Sequence, residues 1–129
     1  MNYLDSSALV KLVVQEPESE ALARFLGEAN LDHASSALAK VEVIRSVRRH
    51  GNEVVADARL LLQTALLLPV TDVVLDLAAN VDPSLLRSLD AIHLASAQLL
   101  GEALTAFVTY DARLAAAATA AGFVAVSPE

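Results

Sequence analysis

Short apolar segments alternate with helical stretches along this chain, and that alternation leaves few folds open. Residues 2–4, 106–110 and 123–126 read as strands, with weaker candidates at 31–34 and 69–71. Between them, apolar residues recur at helical spacing over 8–14, 19–29, 36–50, 52–68, 88–100 and 112–121, with a shorter helix ending near Asn80. Gly51, Gly101 and Gly122 stand where helices should stop, Pro69 closes another, and Asn52 and Ser88 are candidate helix caps. Strands separated by helices pair in parallel and carry helices on both faces, so the expected architecture is a three-layer α/β sandwich.

The 129 residues suffice for one domain spanning 1–129. A hydrophobic content of 55% against 19% charged residues rules out intrinsic disorder. The absence of cysteine removes disulfides, thiolate zinc sites and a cysteine nucleophile. Chemistry therefore falls to Asp, Glu, Ser, Thr, His or a metal held by oxygen. With 16 acidic residues against 9 basic ones, the net charge of −7 argues against a passive nucleic-acid binder. It leaves open an enzyme that meets nucleic acid through bound cations. No apolar run reaches the ~18 residues of a membrane span, and the expectation is a soluble cytoplasmic protein.

Four acidic residues occupy telling positions. Asp5 and Asp111 each follow a strand directly, which in a parallel sheet puts them at the carboxyl edge where α/β folds bind ligands. Each is equally suited to cap the helix that follows. Asp90 begins a stretch that is apolar nearly all round, from Leu89 to Leu100, so an ionisable group opens a buried helix. Glu42 borders the apolar stripe formed by Ala37, Val41, Ile44 and Val47; by itself it reads as a solvated partner of Arg45.

Taken in order, these positions resemble the four motifs of the PIN-domain nucleases. Asp5-Ser6-Ser7-Ala8-Leu9-Val10 resembles the first and Val41-Glu42-Val43-Ile44-Arg45 the second. Leu86 to Ala95, with Leu-Asp-Ala-Ile-His-Leu-Ala at its centre, resembles the third, and Val108-Thr109-Tyr110-Asp111 the fourth. The wording of the third motif and the compact length point to the VapC-type toxins within that family.

The resemblance implies a parallel five-stranded sheet in the order 3-2-1-4-5 and a cluster of carboxylates without a neighbouring histidine. It implies Asp5, Asp90 and Asp111 as ligands of Mg²⁺, with Mn²⁺ a plausible substitute, and Glu42 as the group that orients or deprotonates a water. The implied activity is hydrolysis of RNA; the implied partners are a VapB-type antitoxin and a second copy in a homodimer. Ser7 and Thr109 match hydroxyl positions of the motifs, and Arg87 is a candidate for a phosphate or a site carboxylate. His93, three residues after Asp90, reads as a core or supporting histidine rather than a ligand. Arg45, Arg48 and Arg49 form the densest basic cluster, and the Leu60–Leu62 and Leu66–Leu68 runs suggest a docking surface. Two other classes remain: a catalytically inactive PIN-fold module binding RNA or protein, and a receiver-like Mg²⁺ signalling domain. The latter requires a late lysine, whereas the only lysines are Lys11 and Lys40.

Overall fold

The computed structural model describes residues 1–129. Its strands are β1 (Asn2–Leu4), β2 (His33–Ser36), β3 (Leu66–Leu68), β4 (Ala106–Val108) and β5 (Ala125–Val126). Its helices are α1 (Ser6–Lys11), α2 (Ser19–Ala29), α3 (Ala39–Val47), α4 (Asn52–Thr64), α5 (Asp72–Ala79), α6 (Ser88–Gln98) and α7 (Ala112–Ala120). All the strands pair in parallel, in the order β3-β2-β1-β4-β5, as the resemblance implied.

Side-chain alternation along β1 divides the core in two. Leu4 faces one layer with Val108, packed against Leu9, Leu22, Val43 and Leu62 from α1 to α4. Tyr3 faces the other with Phe107, packed against Leu94 and Leu114 from α6 and α7. Phe107 is fully buried and stacks between Tyr3, 5.1 Å away, and Phe123, 6.3 Å away. Truncating such a side chain to Ala costs roughly 3–5 kcal/mol. α5 closes this layer by packing on α6.

Three segments and two caps differ from the sequence reading. The helix expected over 52–68 ends at Thr64, and Leu66–Leu68 forms β3. Leu66 to Leu68 pair with Ala34 to Ser36, and that ladder outweighs the helical preference of leucine. The strand expected at 69–71 is a loop instead, in which the Thr71 hydroxyl caps α5 by accepting from the Val74 N–H. The helix expected from Ser36 likewise begins only at Ala39, because Ser35 and Ser36 belong to β2. Asn52 and Ser88 are first helical residues, not caps; Gly51 and Arg87 stand before them. No helix is long and apolar enough to cross a membrane.

Candidate active site

Pairing of Leu4 with Val108 sets the residues that follow, Asp5 and Thr109, side by side at the carboxyl edge of the sheet. The strand order reverses between β1 and β4, and such a switch point is where open parallel sheets bind ligands. Asp5 is 4% exposed. Its Oδ1 accepts from the Ala8 N–H at 3.0 Å, capping α1, and from Ser7 Oγ at 2.6 Å. Its Oδ2 accepts from Thr109 Oγ1 at 2.5 Å. The two hydroxyls are themselves held: Ser7 Oγ accepts from the Tyr110 N–H at 3.0 Å, and Thr109 Oγ1 from the Asp111 N–H at 3.1 Å. Ser7 and Thr109 thus tie the end of β1 to the end of β4. Burial pushes the Asp5 carboxyl up, against the hydrogen bonds from Ser7, Thr109 and Ala8.

The other carboxylates also sit at helix starts, where free backbone N–H groups favour negative charge. Asp111 caps α7 through Oδ1, which accepts from the Arg113 and Leu114 N–H groups at 2.9 and 3.0 Å. Asp90 and Glu42 lie in the first turns of α6 and α3. Arg87 bridges two of the four, at 3.5 Å from Asp90 Oδ2 and 3.3 Å from Asp111 Oδ2. Burial raises the Asp90 carboxyl and the charge of Asp111 raises it further, while Arg87 offsets part of both.

Glu42 is held differently. Its Oε1 accepts from Ser6 Oγ at 2.6 Å and pairs with His93 Nε2 at 2.7 Å. Burial works against its charge, but the bonds from His93 and Ser6 outweigh burial and hold the carboxyl below its ordinary value. The partner expected from sequence, Arg45, is replaced by this pair. The carboxylate cluster therefore does have a neighbouring histidine, contrary to the expectation. His93 is 2% exposed, and its Nδ1 lies 2.8 Å from the Tyr3 hydroxyl.

Asp5, Glu42, Asp90 and Asp111 line one cavity of about 390 Å³, with Ser6, Ser7 and His93. Lys11, Arg49 and His50 line it too. Ser6, Lys11 and His50 escaped the sequence reading; Ser6 alone had a signal, its place beside Asp5 in the first motif. No three Asp, Glu or His side chains form a ready-made metal cage. The site offers hard oxygen donors around an open space, which suits a cation that keeps part of its water shell.

The PIN domain profile matches residues 3–120. Full-length relatives in Mycobacterium tuberculosis carry one family name. Ribonuclease VapC46 is 48% identical over 98% of this chain and 96% of its own length, and Ribonuclease VapC47 is 46% identical over 99% and 97%. Ribonuclease VapC35 is 43% identical over 99% and 97%. This chain belongs to the VapC ribonucleases of the PIN-domain family. The VapC fold accommodates much sequence change: the crystal structure of Mycobacterium tuberculosis VapC20, a sarcin-ricin loop cleaving toxin, superposes with a TM-score of 0.78 at 18% identity. That alignment covers 99% of this chain and all of VapC20, and it speaks for the shared fold.

Proposed function

We propose that this VapC chain is a Mg²⁺-dependent endoribonuclease, the toxin of a toxin–antitoxin pair, hydrolysing RNA phosphodiester bonds at Asp5, Glu42, Asp90 and Asp111. The observation that carries the proposal is the gathering of these four side chains, dispersed through the sequence, around one cavity. Two of them, Asp5 and Asp90, are pushed toward protonation by burial, and Asp90 further by Asp111. A divalent cation relieves that repulsion, and the all-oxygen donor set fits Mg²⁺ or Mn²⁺. Asp5 and Asp90 hold the ion, with Asp111 completing the site directly or through water. When bound, the ion neutralises phosphate charge and lowers the pKa of a coordinated water.

The remaining work belongs to the chain. Ser7 and Thr109 keep Asp5 facing the cavity. Glu42, held ionised, takes the proton of the attacking water through Oε2, since Oε1 is committed to Ser6 and His93. Arg49 in the cavity and the exposed Arg87 beside it present positive groups to the RNA backbone, whereas Lys11 is committed to Glu16 and Glu18. Water as nucleophile makes this hydrolysis rather than attack by the 2′-hydroxyl, and the open cavity suits single-stranded or loop RNA.

The partners proposed are a VapB-type antitoxin and a second copy of the chain. Apolar side chains stand exposed along α5 and toward α6, Val73 at 60% and Leu85 at 92%. Of the leucine runs, Leu60 and Leu66 are exposed, while Leu61, Leu62, Leu67 and Leu68 pack into the core. A cytoplasmic location follows from an RNA substrate met inside the cell.

The test is cleavage of single-stranded RNA by the purified protein, which should require Mg²⁺, stop on adding EDTA and be abolished by Asp5→Asn. Regulated expression in a bacterial host should arrest growth for the wild type and not for Asp5→Asn. RNA binding that survives EDTA, with no cleavage in any condition, would replace the enzyme by a binding module.

A further inference from the structure

A histidine whose ring nitrogens are both engaged lies behind Glu42. The α6 position of His93 is apolar by context, among Ile92, Leu94 and Ala95, and a leucine there would meet the core without polar cost. Instead the ring links Glu42 Oε1 to the Tyr3 hydroxyl, at 2.7 and 2.8 Å. Tyr3 is fully buried, stacked on Phe107 and edge-on to His93 with 5.9 Å between ring centres. Packing and hydrogen bonding together leave the imidazole one orientation. An ionised carboxylate only accepts, so Nε2 carries the proton it shares with Glu42. The Tyr3 hydroxyl, whose ionisation burial opposes, donates to Nδ1.

We propose that His93 and Tyr3 are positioning residues for RNA hydrolysis, a hydrogen-bonded relay that locks Glu42 Oε1 and presents Oε2 to the proton of the attacking water. The role rests on the nuclease reading and adds to it two residues that act through Glu42. Ser6 completes the lock from α1, donating to the same oxygen. The chain Glu42–His93–Tyr3 joins α3, α6 and β1, so the base is referenced to the centre of the sheet rather than to a surface helix alone.

The test is steady-state cleavage of a fluorogenic RNA at saturating Mg²⁺ by wild type, Tyr3→Phe, His93→Leu, His93→Gln and Glu42→Gln, with urea unfolding of each. Supporting partners of catalytic groups typically contribute 10–100-fold, so His93→Leu should lower kcat by about that factor with KM nearly unchanged. Tyr3→Phe, which deletes one hydroxyl at constant volume, should lower kcat by a smaller factor. His93→Gln restores an N–H donor and should recover most of the loss. Adding His93→Leu to Glu42→Gln should cost nothing further, because the histidine acts only through the glutamate. Should His93→Leu fail to fold, Tyr3→Phe, alone and combined with Glu42→Gln, carries the same comparison. A folded His93→Leu or Tyr3→Phe variant with wild-type kcat, or losses that multiply in the double variant, overturns the relay while leaving the nuclease intact. A wild-type protein that leaves RNA uncut with Mg²⁺ present overturns the nuclease reading itself.

Discussion

Thr109 Oγ1 donates a 2.5 Å hydrogen bond to Asp5 Oδ2 across 104 positions of sequence. The same hydroxyl accepts from the Asp111 N–H, so one fully buried side chain sets two of the four carboxylates relative to each other. Thr109→Val keeps the shape and strands a buried carboxylate oxygen and a backbone donor. Stranding one such group costs about 1–3 kcal/mol, so urea unfolding should register a loss of at least that order, together with reduced cleavage. Thr109→Ser should retain most of both. A valine variant as stable and as active as wild type would contradict this account of the site.

Asp90 yields a prediction of opposite sign for stability and activity. Its folded carboxyl titrates above the unfolded value, chiefly through burial and then through Asp111. The stability it contributes is present below the unfolded pKa, about 3.9, and is lost as pH rises through the folded value. At neutral pH its charge therefore opposes folding of the metal-free protein. Asp90→Asn should raise the melting temperature in EDTA, yet abolish cleavage and the stabilisation that Mg²⁺ confers on wild type. Calorimetry with and without Mg²⁺ decides, and an unchanged Mg²⁺ response in the variant would remove Asp90 from the metal site.

Glu42 behaves in the reverse way. Burial notwithstanding, His93 and Ser6 hold its folded pKa below the unfolded value of about 4.3. Its contribution to stability is present above that value and is lost as pH falls through the folded pKa. The stability difference between wild type and Glu42→Gln should therefore favour wild type at neutral pH and shrink in the acid range. Chemical unfolding at a series of pH values measures it. A difference independent of pH would mean that the two hydrogen bonds do not favour the ionised form.

Arg87 occupies the gap between Asp90 and Asp111 with its own positive charge, on a side chain that is 72% exposed. A cation arriving there competes with it. Arg87→Gln should tighten Mn²⁺ binding, measured calorimetrically, by less than about tenfold, since exposed ion pairs are weak. Weaker binding would instead assign Arg87 a supporting part in the metal site.

The strand-helix alternation and the four motifs were readable locally, because each depends on periodicity or on residues within a few positions. Asp5 and Asp111 announce themselves as residues that end a strand and start a helix. The leucines at 66–68 do not, since a short apolar run has no period to separate strand from helix. Their state was settled by pairing with β2, formed some thirty residues earlier. His93 shows the same limit at the site: on its own helix it is only a histidine among apolar neighbours. Its partner Glu42 lies 51 positions before it.

The amino-acid order alone determined the layered α/β architecture and the identity of the acidic side chains, because both follow from short-range pattern. Which oxygen of each carboxylate is bonded, which is left for a substrate, and which neutral or basic group stands behind it were decided only by the folded sheet. Hydrogen bonds of 2.5–2.8 Å require atoms placed to within a few tenths of an ångström, and the contacts among Asp5, Thr109, Glu42, His93 and Tyr3 join elements far apart in the chain.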